Sequence, residues 1–533
     1  MYVPAIMMLF FGKNFMLLPT FFYIGTVLAL LIGVLLAYQL YRTRFMFYVM
    51  VPVFIARTFP RVSYYYWGGL RYFIGLASLF LAIQCFKKNR LSFMFMAGIC
   101  SALSFLTTIE AGVSAIAAIL AGTAAAYCLK IFEKDFIGRS IKFYVGGLLP
   151  ILIPYFFYLW VNGAFWAYWD FSIFIPLNMN TTLSDPRGTV PENAGEFLLA
   201  LLPGSPFFKF MTPVYFYLIL FGYLIYRVKK NKLNWEIYPL VTIAVYGLIL
   251  YAAAFRKIEG HHFEMALQPE KILFFFILEE IYLILLNVRR SYLKTSKNLS
   301  FPNVLVGNPQ QIHLGPDEAI TGPPTKTFGG DNLRISSRKI VAGINLLILI
   351  FAVSSITYSF SRYNKRFPAI QWVMNKITGK EKDLSLLKDI PKRPLNIERG
   401  KGMVVPVWQA DEIEGVTKFL KENTAPDEAV FTFAELGNFN FWADRPFVGR
   451  FPIATFSWYQ DRWHEELVAD FKKAQPRFVV MTNLGHRTFP AALYFRYEKN
   501  VRKFNEFTRL ILDHYTVVKS FESVSIYKRK ENF

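Results

Sequence analysis

Leu91 to Cys128 reads LSFMFMAGICSALSFLTTIEAGVSAIAAILAGTAAAYC, two apolar runs that meet at one carboxylate, Glu110. Neither 91–107 nor 111–128 contains a charged residue. A helix that is apolar on all sides belongs in lipid or among other such helices. A bilayer core about 30 Å thick takes about 20 residues of helix per crossing. The pair therefore reads as two spans joined by a tight turn, with Glu110 at the membrane edge. Further runs lie near 18–40, 45–56, 69–86, 141–161, 212–227, 237–255, 271–288 and 340–358, which makes about ten in all. The runs at 45–56 and 212–227 are short, and Glu279 and Glu280 fall near the middle of 271–288.

The bulk composition agrees. Of 533 residues, 54% are hydrophobic, 18% aromatic and 18% charged. A soluble chain carries about a quarter charged residues, so neither a cytosolic enzyme nor a disordered protein fits. Cys85, Cys100 and Cys128 all sit in apolar runs, which argues against a disulfide framework. The first apolar stretch has neither the basic start nor the small-residue cleavage site of a signal peptide.

The net charge of +22 is mostly a topology signal. Short loops rich in Lys and Arg stay on the cytoplasmic side. Basic clusters occur at Arg42 and Arg44, at Lys87, Lys88 and Arg90, from Lys130 to Lys142, from Arg227 to Lys232, and from Arg289 to Lys297. An even number of spans separates each from the next, so all five fit on one face. The opposite face then receives 57–68, the turn at Glu110, 162–211, 256–270 and everything after residue 358. The basic excess needs no nucleic-acid partner.

Three regions follow. Residues 1–295 read as a membrane bundle with one long outer loop, 162–211, that holds Trp166 and Trp169. Residues 296–338 are rich in Pro, Gly and Asn, as in Gly322-Pro323-Pro324, and read as a cytoplasmic linker before the last span at 339–358. Residues 359–533 read as a small soluble α/β domain on the extracytoplasmic side. Strands are expected at Met403–Val407, Ala429–Phe433, Arg477–Met481 and within Tyr515–Tyr527. Helices are expected at Ala410–Asn423, Arg462–Lys473 and Phe504–His514. No G-x-G-x-x-G and no P-loop follows any strand, so nucleotide binding has no support.

Charge and aromatics concentrate in the outer loops. Segment 57–71 carries Arg57, Arg61 and Arg71 on the face that the basic-residue rule disfavours. Guanidinium forks suit phosphate oxygens; arginines snorkelling from an aromatic belt are the alternative. Segment 255–270 is the densest polar cluster in the bundle. There Arg256 and Lys257 can hold a phosphate, while Glu259, His261, His262 and Glu264 can transfer protons or hold a divalent metal. The spacing is not that of H-E-x-x-H, and no cofactor is fixed by these residues. Glu110 is either a carboxylate at membrane depth, hence a functional candidate, or a solvated turn residue. Glu279 and Glu280 read as paired inside the bundle or as a span edge. Trp463-His464-Glu465-Glu466 reads as a helix start whose acids favour the macrodipole.

In layout the chain resembles the GT-C superfamily of membrane glycosyltransferases, in particular bacterial relatives of protein O-mannosyltransferases and of the lipid A aminoarabinose transferase. The likeness covers the whole length through loose local patterns. Met1 to Phe15 looks like the family's segment entering an early span. Arg71 to Thr108, with Ala97-Gly98 inside it, looks like the paired helices that follow, and Phe255 to Pro269 looks like an outer loop before a late span. A terminal α/β domain also occurs in such proteins. The resemblance implies a multi-pass protein of the inner (plasma) membrane, with membrane lipids around it. It implies transfer of a sugar from a polyprenyl-phosphate donor to a lipid, glycan or protein acceptor at the outer face. It implies cations for the phosphate, for which Arg57, Arg61, Arg71, Arg256 and Lys257, with His261 and His262, are the matches by side and type. It also implies a catalytic Asp or Glu in a first outer loop, whereas residues 1–109 contain no acid. The expectation is therefore a chain lacking that first span and loop, inactive as it stands, or one in which Glu110, Asp170 or Glu259 supplies the base. A non-catalytic transporter or assembly protein with an outer partner-binding domain is the other reading; inverted repeats, which would mark a transporter, are not evident.

Overall fold

The computed structural model describes residues 8–15, 17–62, 69–172, 194–205, 208–231, 233–254, 266–298, 330–363, 391–434, 436–483 and 497–531. Six helices open the chain: α1 (Leu17–Leu40), α2 (Arg44–Val62), α3 (Leu70–Lys88), α4 (Leu91–Thr107), α5 (Ile109–Cys128) and α6 (Lys134–Val161). A short helix α7 (165–172) and α8 (Ala194–Leu201) follow. Then come α9 (Phe208–Lys229), α10 (Ile237–Ala254), α11 (Gln268–Asn298) and α12 (Gly330–Tyr363). A helix thus occupies each of the ten apolar runs. Among the described residues, six helices are long and apolar enough to cross a membrane: Thr20–Leu40, Ile109–Cys128, Lys134–Val161, Phe210–Lys229, Ile237–Ala254 and Ala342–Ser359. Leu91–Thr107 is apolar but shorter. The molecule is a multi-pass membrane protein. Two boundaries differ from the sequence reading: α11 runs on to Asn298 and α12 begins at Gly330, both inside the stretch read as linker. Hydropathy marks only the lipid-embedded part of a helix, and hydrogen bonding continues into the polar turns beyond it.

The chain forms two compact units, Met1–Leu35 with Thr58–Glu270 and Asn375–Phe533, and Leu36–Arg57 with Lys271–Met374. In the first, α4 packs closely on α6 because glycines remove the side chains that would hold them apart. A Cβ on Gly98 would lie 2.1 Å from the Tyr144 carbonyl oxygen, and one on Gly147 would lie 2.1 Å from that of Phe95. Without a hydrophobic drive between helices in lipid, such close approach and interhelical hydrogen bonds hold them together. Tyr144 donates to Ser101 Oγ at 2.8 Å, Ser101 and Ser78 hydroxyls meet at 2.6 Å, and Ser78 donates to the Ala97 carbonyl at 3.0 Å.

In the second unit the two carboxylates of α11 find partners at the start of α2. Fully buried Glu279 accepts the backbone N–H of Arg42 at 3.0 Å and of Thr43 at 2.6 Å, and the Thr43 hydroxyl at 2.6 Å. The Thr43 oxygen in turn accepts the Met46 N–H at 3.3 Å. Thr43 is the residue just before α2, so it serves as N-cap. Glu279 fills, from another helix, the place a glutamate three residues on takes in a capping box. Glu280 pairs with the Arg42 guanidinium at 3.2 Å.

The C-terminal domain, in the first unit, is a four-stranded sheet with a two-stranded ribbon beside it. Its elements are β1 (Lys392–Pro394), β2 (Val404–Pro406), α13 (Val407–Asn423), β3 (Phe431–Phe433), α14 (Asn438–Ala443), α15 (Asp461–Ala474), β4 (Phe478–Thr482), α16 (Glu498–His514), β5 (Tyr515–Ser520) and β6 (Val524–Arg529). β3 and β4 are parallel, while β4 and β5 run antiparallel to β6. Period-two alternation splits β4 between two cores. Phe478 and Val480 face Ile413, Leu420 and Trp442 on the α13–α14 side. Val479 and Met481 face Trp463, Phe471 and Phe507 on the α15–α16 side. Every expected element of the domain is present. β1 and α14 are additions, and α16 starts six residues before the expected Phe504, in the polar turn from Glu498.

Candidate functional site

The site grows from the residues that leave α6. Asn162 ends that helix, and Gly163 takes the left-handed φ of +66° that glycine tolerates at a helix end. The chain re-enters a helix as α7, Phe165-Trp166-Ala167-Tyr168-Trp169-Asp170-Phe171-Ser172. Spacings of three and four place Trp166, Trp169 and Asp170 on one side. The first turn of α15 meets that side. Asp170 forms an ion pair with the Arg462 guanidinium and accepts the Trp463 indole N–H at 3.3 Å. Phe171 stacks on Trp463 with centroids 5.3 Å apart and meets Phe456 edge-on at 6.2 Å.

One turn further along α15, Glu466 receives a two-pronged hydrogen bond from Arg450, at 2.5 Å from Nε and 2.7 Å from Nη2. That guanidinium lies 4.4 Å above the Phe451 ring and 5.5 Å from the Trp463 ring, a cation–π arrangement that fixes its plane. Together these groups line a cavity of about 570 Å³, walled by Trp166, Ala167, Trp169, Asp170, Arg450, Arg462, Trp463 and Glu466.

The start of α1 docks on the same domain. Phe15 N–H donates to the Arg399 carbonyl at 2.8 Å, and the Asn14 amide donates to the Lys401 carbonyl at 3.1 Å. The Phe15 ring lies 6.3 Å from that of Phe441 and 6.1 Å from that of Trp442. The beginning of α1 and the end of α6 therefore share the face that carries the C-terminal domain. Alternation of α4, α5 and α6 brings Glu110 to that face too. It stands half-buried in the first turn of α5, and its carbonyl accepts the Ser114 hydroxyl at 2.6 Å.

A second polar cluster lies where α9, α10 and α11 meet. Glu270, 6% exposed, accepts the Tyr217 hydroxyl at 2.5 Å. Gln268, 1% exposed, has no hydrogen-bond partner among the described residues on either end of its amide.

Of the residues singled out from the sequence, Asp170 is brought into the cleft and Glu110 to the start of α5. Arg57, in the second unit, lies over the Tyr358 ring at 5.6 Å. Arg61 and Arg71 belong to α2 and α3, but their side chains lie outside the described residues, as do Arg256, Lys257, Glu259, His261, His262 and Glu264 entirely. Among the described residues no group of three or more His, Cys, Asp or Glu side chains is placed to hold a metal ion.

Arg450, Arg462, Trp463 and Glu466 were not anticipated as site residues. The Trp463-to-Glu466 stretch did stand out, and its first-turn role belongs to Asp461. Only the folded chain shows that Trp463 and Glu466 face α7, because nothing local relates α15 to a helix almost three hundred residues earlier.

The electrostatics of α15 continue behind the cleft. Lys503, buried on α16, donates to the Trp458 carbonyl at 3.1 Å and pairs with Asp461 at 2.7 Å. That ammonium holds the Asp461 carboxyl below the usual range. His464 is buried beside it, with Nε2 2.8 Å from Glu506 and Nδ1 without a partner among the described residues. Burial pushes its pKa below the ordinary value, against the pull of Glu506.

No family model matches the chain, and no curated protein matches it. Among solved structures it is similar to ArnT from Cupriavidus metallidurans bound to undecaprenyl phosphate, with a TM-score of 0.48 and 12% identity over 99% of this chain and 87% of that one. The apo state of the same protein gives a TM-score of 0.48 and 12% identity over 99% of this chain and 86% of that one.

Proposed function

We propose that the protein is a membrane glycosyltransferase that moves a sugar from a polyprenyl-phosphate donor to an acceptor on the extracytoplasmic face. The observation that carries this reading is the cleft between α7 and α15. It sits where the chain has just left the apolar helix α6 and meets a polar domain. A lipid-linked sugar needs such a place, with its chain in the bilayer and its hydroxyls in a polar, aromatic-walled recess. The orientation rests on the five basic clusters, which assign the domain-bearing face to the outside.

The reaction needs few groups. The acceptor oxygen forms a bond to the anomeric carbon while the bond from that carbon to the phosphate oxygen breaks. The electron pair leaves with polyprenyl phosphate, and the acceptor proton passes to a carboxylate. Cations stabilise the departing phosphate. Asp170, held by Arg462 and the Trp463 indole, also positions α7. Glu110, Asp170 and Glu259 are the candidate bases in this scheme, and Glu270, which accepts the Tyr217 hydroxyl, joins them. Arg61, Arg71, Arg256 and Lys257, together with His261 and His262, are the candidate phosphate partners in this scheme.

The test is transfer by the full chain in nanodiscs, using undecaprenyl-phosphate-linked radiolabelled sugars and a membrane extract as acceptor. Transfer that Arg256→Ala and Glu110→Gln each reduce at least tenfold, with the fold retained, would support the scheme. Absence of both transfer and carrier binding would remove it, and would leave a transporter or an assembly protein as the alternative.

A further inference from the structure

We infer that the cleft between α7 and α15 is a seat for an uncharged saccharide, and that the phosphate of a lipid-linked donor is held elsewhere. The inference deepens the proposed function by naming which part of the substrate enters. The first argument is charge balance. Among the described residues, the lining holds two guanidiniums, Arg450 and Arg462, and two carboxylates, Glu466 and Asp170. Each guanidinium is matched to one carboxylate, Arg450 to Glu466 through two hydrogen bonds and Arg462 to Asp170 through an ion pair. A phosphate entering here would have to displace a carboxylate from its arginine and then lie beside it. Anion sites offer cations without such competitors.

Hydroxyl groups meet no such obstacle. A guanidinium has five N–H donors and a carboxylate about four lone-pair positions. Arg462 also gives its Nε–H to Gln460 at 2.5 Å, so the capacity for hydroxyls lies with Arg450 and with the two carboxylates. A sugar hydroxyl donates and accepts, and can bridge the two ions of a pair without breaking it.

The second argument is the aromatic wall. Trp463 is 1% exposed, covered by Phe171 and the Arg450 guanidinium, with its N–H given to Asp170. Trp169 and Trp166 are 41% and 75% exposed and border the same space. Indole is large, flat and amphipathic, and the C–H face of a pyranose ring offers a matching flat surface. About 570 Å³ lies within the range of sites for small organic ligands. The competing account of exposed tryptophans beside a membrane is an interfacial belt. A belt does not require the two matched ion pairs behind it.

Oxidation of Trp169 by N-bromosuccinimide, read by mass spectrometry on the full chain in nanodiscs, tests the inference. The probes are a panel of neutral gluco-, galacto- and manno-configured disaccharides, inorganic phosphate, and nanodiscs made with brominated lipid. At least one disaccharide should slow oxidation of Trp169 tenfold or more, phosphate should not, and Glu466→Gln should weaken the protection tenfold. Trp169→Phe, which keeps an apolar ring and the fold, should weaken binding of that disaccharide by calorimetry. Protection by phosphate alone, or Trp169 fluorescence quenched by brominated lipid and indifferent to every disaccharide, overturns the inference. If a disaccharide protects but no sugar is transferred, the cleft stands and the glycosyltransferase reading falls. If transfer is unchanged in Trp169→Ala and no disaccharide protects, the reverse holds.

Discussion

Asp170, on the helix that follows α6, and Arg462, in the first turn of α15, form an ion pair that fastens the C-terminal domain to the end of a membrane helix. The Asp170 side chain is 21% exposed and that of Arg462 60%, so solvent screens the pair and its own contribution is modest, on the order of 1 kcal/mol. A double-mutant cycle of Asp170→Asn and Arg462→Gln, read by thermal unfolding, should give a coupling of about that size. It should shrink in high salt. A coupling indistinguishable from zero at low salt would show that the stacking of Phe171 on Trp463 holds α7 alone.

The α4–α6 contact should be far less forgiving. Gly98→Leu places four carbons where the Tyr144 carbonyl lies 2.1 Å from the first of them. The helices must separate, and the hydrogen bonds among Tyr144, Ser101 and Ser78 go with the contact. Overpacking of this kind costs about 1–3 kcal/mol in soluble cores and more where backbone is the obstacle. Gly98→Leu should lower the yield of folded, monodisperse protein on size exclusion several-fold. Gly146→Leu, where a Cβ meets nothing within 4 Å, should not.

Removing Glu279 should release the start of α2. Glu279→Leu fits the buried site in size but leaves the N–H groups of Arg42 and Thr43 without an acceptor. Unsatisfied buried donors cost about 1–3 kcal/mol each. Glu279→Gln, which keeps one acceptor oxygen, should recover part of the loss. Hydrogen exchange of the Arg42 and Thr43 amides reads the effect directly, and unchanged protection in Glu279→Leu would contradict it.

The C-terminal domain should lose stability in mild acid. His464 has its folded-state pKa pushed below the ordinary value, so the unfolded chain binds its proton more readily. Stability is full above about pH 6.5 and falls as the pH drops through the window between the unfolded and folded values. Lys503, Asp461 and Glu506 face the same histidine. Asp461, whose pKa is also depressed, withdraws its contribution only below the ordinary aspartate range. His464→Gln should flatten the dependence of thermal stability between about pH 7 and 5.5 and leave the more acidic fall in place. An equally steep profile in the variant would assign the loss to other groups.

Much of this molecule was legible before folding. The ten helices coincide with ten apolar runs because a lipid-facing segment must satisfy its backbone internally and present hydrocarbon outward. The strands and helices of the C-terminal domain were legible because β-branched runs such as Phe478–Thr482 and spacings such as those of Ala410–Asn423 carry their own periodicity. The start of α16 was not, since Glu498-Lys499-Asn500 is polar and shows no stripe until Phe504 joins it. Glu279 and Glu280 read as paired or at a span edge; that their partners are Arg42 and Thr43 depends on bringing α11 beside the start of α2.

By itself, then, the sequence determined that this is a membrane protein with a terminal α/β domain, and which residues are apolar enough to meet lipid. Those are local properties, set by transfer free energy and hydrogen bonding along one segment. Tertiary structure decided that Trp169 and Asp170 would share a cleft with Arg450, Trp463 and Glu466, and that each arginine there would meet its own carboxylate. Such pairings link positions nearly three hundred residues apart, and no local preference encodes them. They arise only once α6 and the domain's first-turn residues on α15 are packed within reach of each other.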